Sequence, residues 1–234
     1  MHTSDQGHLI NEGYLPHILN PQPLDVGTAL DVLSRKLPTT IKRKIDLSFD
    51  TTPPRTIGTG LFAADAKCRP LSDLFQAILT RYPLQPCGTH GVSHWGRVWE
   101  TGEALAHQTG ANMAVVRLFA LFHDCQRENE GWDDGHGQRG ADLAAEFRDV
   151  HYDVADDEFD MLQEACTRHT DGLTCADMTV MTCWDADRLD LGRVGIVPAR
   201  ARLCTEAARD GEFLNWANER AQARYFPAWI KDLI

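Results

Sequence analysis

The amino-acid sequence predicts an all-α fold over most of its length, preceded by a partly irregular N-terminal extension. From about residue 71 onward, apolar residues recur every three to four positions, which is the spacing of one face of an α-helix. Regular alternation of polar and apolar residues, the pattern of a half-buried strand, is nearly absent. Residues that are typical of helix ends also stand where the apolar pattern breaks.

Eight helices are predicted in this part of the chain from the apolar periodicity and from the flanking residues. They span residues 71–82, 93–109, 112–125, 136–149, 156–170, 174–190, 198–209 and 212–224. Ser93, Asn112 and Asp156 are the predicted N-caps, because their side chains can accept hydrogen bonds from backbone N–H groups of a first helical turn. Gly110 and Gly172 are the predicted helix stops, because glycine readily adopts the left-handed conformation that ends many helices.

The first 70 residues differ in composition from the helical domain predicted for residues 71–234. They contain most of the prolines, including the pair Pro53-Pro54, and show little sustained periodicity. We predict a short helix near Val26–Leu33 and loops elsewhere in this extension. The chain of 234 residues, 43% of them hydrophobic, is long enough to bury the core of one globular domain.

The charge of the chain restricts its partners. The formal net charge is −11, which argues against tight binding to a nucleic-acid backbone, since such binding requires clustered lysine and arginine. The one basic cluster, Lys42-Arg43-Lys44, is short, and we predict that it is a solvated loop or helix end. An acidic protein can still bind a small phosphorylated substrate in a locally positive pocket.

The cysteines and the N-terminus predict a cytoplasmic protein. The seven cysteines form no Cys-x-x-Cys pair, and several lie in apolar helical surroundings, which predicts reduced core thiols. The N-terminus lacks the apolar run of a signal peptide, and no segment is long and apolar enough to predict a membrane span. We therefore expect no membrane partner; the sequence does not indicate an oligomeric state.

The stretch LFALFHDC, residues 118–125, places His123 and Asp124 directly after five apolar residues. Burying an imidazole and a carboxylate costs free energy unless both groups find partners. A hydrogen-bonded pair in the core would satisfy them, and so would coordination of a metal ion.

Other predicted helices repeat this pattern of a ligand-type side chain on an apolar face. Positions three, four and seven residues apart in a helix share a face. The residues that share a face in this way are His94 with Val98, Thr101 and Leu105; His123 with Val116, Phe119 and Ala120; His136 with Gly140, Leu143 and Phe147; His169 with Phe159, Leu162 and Cys166; and Asp187 with Val180, Cys183 and Trp184. Five helices therefore each direct a ligand-type residue towards the interior.

A shared metal site explains these inward groups better than five separate buried hydrogen bonds. A single inward histidine is usually a hydrogen-bonded core residue, but each of several would need its own partner. Nitrogen and oxygen ligands without a thiolate suit Mn, Fe, Co, Ni, Zn or Mg. Six ligands exceed what one ion with open positions needs, so we expect two ions bridged by Asp124. Two ions roughly 3.5–4 Å apart can activate water and stabilise an oxyanion.

The order of these residues resembles the HD superfamily of metal-dependent phosphohydrolases, which has an all-α helical bundle. The matching segments are HGVSHWGRV with His94, LFHDC with His123 and Asp124, HGQRGA with His136, TRHTDG with His169, and WDADRLDLGR with Asp187. The order H, HD, H, H, D is similar to that of the binuclear subset, and the resemblance covers residues 88–195. That subset includes phosphatases, phosphodiesterases and mixed-valence di-iron oxygenases of the myo-inositol oxygenase type. The GYP motif of the cyclic-dinucleotide phosphodiesterases is missing, which disfavours that subgroup.

Three arginines each follow a predicted ligand by three residues, and a guanidinium pairs well with phosphate oxygens. Arg97 and Arg127 are the predicted phosphate contacts, and Arg139 is a weaker candidate that, like them, has a surface ion pair as its alternative. Arg188 is expected to pair within the core. His90 is either an exposed loop residue or a proton donor near the pocket, with the exposed residue favoured.

Acidic residues of the loop QRENEGWDDG are possible proton-transfer groups. Asp133 and Glu128 are the two candidates, although solvated loop acids are the favoured interpretation.

The sequence therefore predicts a metal-dependent phosphohydrolase that acts on a nucleotide or another small phosphate ester. His94, His123, Asp124 and Asp187 would hold one ion, and His136, His169 and Asp124 the other, with Mn or Fe expected first. A metal-activated water would attack phosphorus, while Arg97 and Arg127 neutralise the phosphate. Two alternatives remain: a di-iron oxygenase on the same ligands, and a non-catalytic module that binds a nucleotide or a partner.

Overall fold

The computed structural model describes residues 70–234, and this part of the chain is all-α, as predicted. The predictions for the N-terminal extension, including its short helix and the basic cluster, lie outside the described residues. The helices are α1 (Leu71–Arg81), α2 (Val92–Thr109), α3 (Met113–Phe122), α4 (His136–Phe147), α5 (Asp156–Arg168), α6 (Met178–Arg188), α7 (Glu206–Arg209), α8 (Gly211–Gln222) and α9 (Ala228–Lys231). Two 3-10 helices, Leu191–Val194 and Arg200–Arg202, lie between α6 and α7.

Helix α3 lies at the centre of this bundle. Its sequence, MAVVRLFALF, is apolar almost all round, and seven of its ten residues are buried. A helix without a polar face must be covered on several sides, and α3 packs against α2, α5 and α6, with smaller contacts to α1 and α4. The core around it contains the fully buried rings of Trp95, Phe119, Phe122 and Trp184. The chain leaves α3 directly into His123, so the predicted ligands begin in the core.

Most helix boundaries lie close to the predicted ones, and two of the predicted end residues have the expected geometry. The side chain of Asn112 caps α3 by accepting hydrogen bonds from the N–H groups of Ala114 and Val115, at 2.9 and 3.2 Å. Gly110 ends α2 in the left-handed conformation, with φ of 75°. Gly172 also has a positive φ, 73°, but it follows the end of α5 by one turn.

Two predicted N-caps are wrong. Ser93 and Asp156 lie inside the first turns of α2 and α5, whose N-cap residues are Gly91 and Ala155. In α5 the Glu158 carboxylate accepts a hydrogen bond from the Ala155 N–H at 2.9 Å, which does the work of a capping side chain from within the helix.

The helix predicted for residues 198–209 is also wrong, because the chain breaks at Leu203–Thr205. The buried carboxylate of Asp185 accepts hydrogen bonds from the backbone N–H groups of Cys204 and Thr205, at 2.7 and 2.8 Å. These two N–H groups therefore cannot donate to the carbonyl oxygens of a continuous helix. The Thr205 hydroxyl then accepts from the N–H of Ala208 and starts the short helix α7.

Helices α3, α4 and α5 approach each other closely at two glycines. A Cβ atom on Gly140 would lie 2.3 Å from the backbone oxygen of Phe122 at the end of α3. One on Gly137 would lie 2.4 Å from the backbone oxygen of Cys166 and 3.0 Å from the His169 ring. Only glycine allows this separation, and it brings the start of α4 against the ends of both neighbours.

The described cysteines are all free, as predicted. Four of them, Cys125, Cys166, Cys183 and Cys204, are buried. Burial raises the pKa of the first three thiols well above its usual range, so they remain protonated core side chains. Across residues 70–234, no helix has the length and apolar character to cross a membrane.

Candidate metal centre

Six predicted ligands converge on one place in the bundle. His94 lies in the first turn of α2, His123 ends α3, and Asp124 follows it in the next turn. The other three ligands are His136 at the start of α4, His169 at the end of α5, and Asp187 in the last turn of α6. Five of the six are at most 4% exposed, and Asp187 is partly buried. Helix ends thus supply most of the site, at the point where α2 to α6 meet.

The first group of ligand atoms joins α2, α3 and α6. The Nε2 atoms of His94 and His123 are 3.0 Å apart. Asp187 Oδ1 lies 3.5 Å from His94 Nε2 and 3.8 Å from His123 Nε2. Asp124 Oδ2 faces the same atoms, at 3.4 and 3.8 Å. His94, His123 and Asp187 therefore form one group that could hold a metal ion, and Asp124 Oδ2 lies beside it.

The second group of ligand atoms joins the end of α3, the start of α4 and the end of α5. The Nε2 atoms of His136 and His169 are 2.9 Å apart. The other oxygen of Asp124, Oδ1, lies 3.2 Å from His136 Nε2 and 3.6 Å from His169 Nε2. Asp124 therefore presents one carboxylate oxygen to each group, which is the arrangement of a bridging ligand.

The second nitrogen of every ring holds the imidazole in place. Each Nδ1 lies within hydrogen-bond distance of an acceptor oxygen, so the proton belongs on Nδ1 and the lone pair on Nε2. The acceptors are Asp190 Oδ2 for His94 at 2.7 Å, Phe119 O for His123 at 3.1 Å, Asp133 O for His136 at 2.6 Å and Cys166 O for His169 at 2.7 Å. Four ring lone pairs therefore point into the centre, in two facing pairs.

The pKa values of three ligand groups, His123, Asp124 and Asp187, are shifted from their ordinary values. Burial lowers the pKa of His123 to about 3, so this ring is neutral at pH 7. Burial raises the pKa of Asp187, but His123 and His94 act against it and lower the pKa to about 2. Burial also raises the pKa of Asp124, but His123 and the three histidines in contact with its carboxylate oxygens lower this pKa to well below its usual range. Both carboxylates are therefore ionised at neutral pH.

His90 lies at the same centre, although the sequence favoured an exposed loop residue. Its Nδ1 is 2.7 Å from Asp124 Oδ2, and its side chain is 12% exposed. His90, His94 and Asp124 form a third group whose ligand atoms lie within 4.8 Å of one another. The signal in the sequence was the spacing His90-x-x-x-His94, but His90 lies in the loop before α2, where helical periodicity does not apply.

Arg97 does not face the ligand atoms of the centre, where a phosphate would meet them. Its guanidinium forms two hydrogen bonds to the Asp190 carboxylate, at 2.7 and 2.9 Å, and a third to the Tyr225 carbonyl at 2.9 Å. The side chain is buried and its charge is balanced by Asp190. Asp190 in turn accepts from His94 Nδ1, so Arg97 orients a ligand histidine through this carboxylate.

Asp190 is the site residue that the sequence analysis missed. It is 3% exposed and joins Arg97 to His94. It follows Asp187 by three residues, a spacing that keeps both residues on one side of a helix. The spacing of the two aspartates in the sequence DRLD therefore indicated that Asp190 lies near Asp187.

Arg127 lies against the second group of ligand atoms. Its Nη1 is 3.0 Å from His136 Nε2 and 3.4 Å from Asp124 Oδ1. Hydrogen bonds to the carbonyl oxygens of Asn129 and Gly131 hold the guanidinium there. Of the arginines singled out in the sequence, Arg127 is the one that reaches the ligand atoms.

The remaining predicted loop residues form a structural network. Arg139 donates to Asp133 Oδ1 at 2.6 Å and to the carbonyl oxygen of Gln126 at 2.9 Å. The other oxygen of Asp133 accepts from the backbone N–H of Glu128, whose own carboxylate is 69% exposed. This network shapes the loop before α4, and the carbonyl of Asp133 orients His136.

Arg188 lies in the core, as expected. It donates to the Arg202 carbonyl and to Cys204 Sγ, and its guanidinium stacks over Trp184.

The ligand atoms fit divalent cations. In each of two pairs, the Nε2 atoms of two histidines lie about 3 Å apart, and both have their lone pairs directed inward. Two acceptors at this distance repel each other unless a proton or a cation lies between them. Two ionised carboxylates supply the negative charge that divalent ions require. Nitrogen and oxygen donors of this kind suit first-row transition metals.

Comparison with protein-family profiles, curated proteins and solved structures finds no match to this chain. The described residues form a helical protein with buried groups of histidine and aspartate that could hold metal ions.

Proposed function

We propose that this protein is a metal-dependent phosphohydrolase that acts on a small phosphate ester, nucleotides included. The observation that carries the proposal is the position of Asp124, whose two carboxylate oxygens face two separate groups of histidine nitrogens. This is the donor arrangement of a binuclear centre, and it agrees with the resemblance of the ordered ligands to the HD superfamily.

The first ion would be held by His94, His123, Asp187 and Asp124, and the second by His136, His169 and the same Asp124. Two divalent ions held by these residues would lower the pKa of water and neutralise charge on a phosphoryl group. The buried walls keep the dielectric low, which strengthens the electrostatic interactions in the centre.

Arg127 would bind the phosphate beside the second group. Its guanidinium is already placed at His136 and Asp124, and it is held by backbone carbonyls rather than by a carboxylate of its own. A phosphate oxygen would therefore meet a charge that Asp124 balances only in part. Arg97, which the sequence suggested for the same task, orients Asp190 and His94 instead.

His90 would transfer the proton that the leaving group needs. Its Nδ1 is bound to Asp124, while its Nε2 forms no hydrogen bond within residues 70–234. The ring is partly exposed at the edge of the centre, so a leaving oxygen could reach Nε2 without displacing a ligand.

The test is the release of phosphate from a panel of phosphomonoesters and nucleotides under nitrogen, with Mn(II) added. We expect turnover with wild type, loss of turnover and bound metal in Asp124→Asn, and wild-type behaviour in the matched control Asp142→Asn on the exposed face of α4. Turnover in metal-depleted Asp124→Asn protein would contradict the mechanism.

The same preparation separates the two alternatives. Oxygen consumption that requires Fe(II), without phosphate release, would assign the centre to a di-iron oxygenase. Thermal stabilisation by a nucleotide without any turnover would assign it to a binding module.

A further inference from the structure

A positively charged cavity lies beside the candidate metal centre. It has a volume of about 190 Å³, and its charged lining residues are Arg97, Arg193 and Arg224. The other lining residues are Cys87, Gly88, Thr89, Ser93 and Phe226. No acidic side chain lines it. The whole chain carries a net charge of −11, so a cavity lined by three arginines has the opposite charge to the protein as a whole.

The positive charge of this cavity is only partly neutralised. Asp190 balances Arg97 through two hydrogen bonds, and its carboxylate lies 3.7 Å from Arg193 Nη1. Arg224 has no acidic partner and no side-chain hydrogen bond within the described part of the chain. Asp190 therefore neutralises Arg97, and Asp190 and Asp187 act on Arg193. The guanidinium of Arg224 is left without a carboxylate in this part of the chain, and an anion in the cavity would be attracted to it.

The backbone at Arg224 supports a role for its side chain. After α8, the Tyr225 N–H donates to the Arg220 carbonyl and the Arg224 N–H donates to the Ala221 carbonyl, both at 3.0 Å. This pattern places Arg224, with φ of 48°, at the left-handed position that glycine normally occupies. A side chain kept at a strained position is a reason to look for a function there. The Tyr225 carbonyl also accepts from Arg97, which fixes the turn against the cavity.

Arg193 connects the cavity to the metal centre. It is 7% exposed and donates to the carbonyl oxygens of Thr89 and Asp190. Its Nη2 lies 3.3 Å from His90 Nδ1, and that same atom lies 2.7 Å from Asp124 Oδ2. One imidazole therefore separates a guanidinium of the cavity from the bridging carboxylate.

We propose that this arginine cavity binds a second oxyanion group, phosphate or carboxylate, of the substrate whose first phosphate meets the metal centre. The substrate class is then a small metabolite with two anionic groups. The link to a substrate rests on the proposed function, whereas the binding of an oxyanion in the cavity does not. Arg224 would contact the oxyanion directly, Arg193 would hold it next to His90, and Phe226 would pack against the carbon skeleton.

The test measures binding of inorganic phosphate, and separately of acetate, to the metal-loaded full chain by isothermal titration calorimetry. The variant is Arg224→Gly, because glycine suits the left-handed backbone and removes only the guanidinium. The matched control is Arg202→Gln, an exposed arginine without a side-chain hydrogen bond or ion pair in the described region. We expect Arg224→Gly to weaken binding of the preferred anion about tenfold, and the control to change it less than twofold.

Two results would overturn the proposal. One is the absence of phosphate and acetate binding in wild type. The other is phosphate binding that is lost in Asp124→Asn and unchanged in Arg224→Gly, since that phosphate would lie on the metals. Anion binding that depends on Arg224, in a protein that hydrolyses no phosphate ester, would support the cavity and contradict the hydrolase proposal.

Turnover gives an independent readout. With a substrate that carries two anionic groups, Arg224→Gly is expected to raise KM about tenfold and leave kcat near wild type. With a phosphomonoester that has no second anionic group, KM should not change. Equal effects on both substrates would contradict a specific role for the cavity.

Discussion

Asp124 is the residue on which the candidate site depends. It is 2% exposed and has one oxygen in each group of histidine nitrogens, so its loss would remove a ligand from both of the proposed ions at once. The imidazoles of His94, His123, His136 and His169 are each fixed through Nδ1 by an oxygen outside the centre, so their Nε2 atoms face it. The donor atoms of the site are thus single oxygen and nitrogen atoms, and the hydrogen bonds at Nδ1 set the direction of each imidazole.

The contact between Asp190 and His94 leads to a prediction about metal affinity. Asp190→Asn should lower metal affinity about 10–100-fold, because the Nδ1 partner of a ligand histidine tunes its basicity and orientation. It should also cost about 3 kcal/mol of unfolding free energy, since Arg97 would remain buried without its counter-charge. Metal titration and urea unfolding measure the two effects.

The control for this substitution is Asp185→Asn. Asp185 is also fully buried, but it binds the backbone of Cys204 and Thr205 and no ligand histidine. The Asp185→Asn protein should therefore be less stable than wild type and keep the metal affinity of wild type. Equal metal affinities for Asp190→Asn and wild type would contradict the positioning role.

The lowered pKa of His123 predicts acid sensitivity of the metal-free protein. Its folded pKa of about 3 lies below the ordinary value of 6.5, so the unfolded chain binds this proton first. The stability that neutral His123 contributes is therefore present above pH 6.5 and is lost as the pH falls towards 3. The loss is on the order of 4 kcal/mol at pH 3.

The substitution His123→Gln isolates this dependence. Burial lowers the pKa of His169, but the nearby carboxylates of Asp124 and Asp187 outweigh it and raise this pKa, so His169 acts in the opposite direction. Urea unfolding of the chelator-treated proteins between pH 7 and pH 4 should show a shallower pH dependence in the variant. Identical pH dependence in both proteins would refute the assignment to His123.

At the scale of elements, the centre depends on how closely α4 approaches α3 and α5. The two glycines of α4 remove the Cβ atoms that would hold the helices apart, and this brings His136 to Asp124. The inward direction of the ligands followed from helical periodicity, which needs no knowledge of the neighbours. Distances between helices depend on packing against residues far away in sequence, and no periodicity contains them.

Gly140→Ala is expected to open this contact. The added methyl group would meet the backbone oxygen of Phe122, which cannot move aside as a side-chain tip can. Overpacking should cost about 2–3 kcal/mol of stability and weaken the second metal site more than the first. Thermal unfolding and metal stoichiometry measure both effects.

Gln138→Ala on the exposed side of α4 is the matched control. It should leave stability and stoichiometry unchanged. A Gly140→Ala protein with two ions per chain and normal stability would show that the close approach is not required.

The error in the predicted helix 198–209 has a long-range cause. Helix 198–209 was expected from local pattern alone, but Asp185, about twenty residues earlier, captures the backbone at Cys204 and Thr205. His90 was undervalued for a related reason, because its loop is fixed by contacts such as that between its N–H and Glu130. Local periodicity predicts helices and the faces they bury, and long-range hydrogen bonds decide the breaks and loops.

At the scale of the whole molecule, two ions would join α2 to α6 across the core. The all-α class and the six converging residues followed from the sequence, because both depend on helical periodicity and residue chemistry. The arginine cavity did not, since it combines the loop before α2, the turn after α6 and the turn after α8. These segments meet only when the bundle closes.

Metal binding should therefore stabilise the whole domain. A ligand at a hundred times its Kd adds about 2.7 kcal/mol of stability, which corresponds to a rise in Tm of roughly 5–10 °C for a domain of this size. Differential scanning calorimetry with and without Mn(II) measures it, and Asp124→Asn should show no rise. A rise of the same size in this variant would place the stabilising metal elsewhere.

We propose that Asp124 and its five partner ligands hold two metal ions. The decisive measurement is metal content per chain, by inductively coupled plasma mass spectrometry on protein purified without chelator or affinity tag. We predict about two transition-metal atoms per chain in wild type and a large loss in Asp124→Asn. Metal content near zero in wild type, even after Mn(II) or Fe(II) is offered back, would contradict the account and leave His123 and Asp124 as a hydrogen-bonded pair in the core.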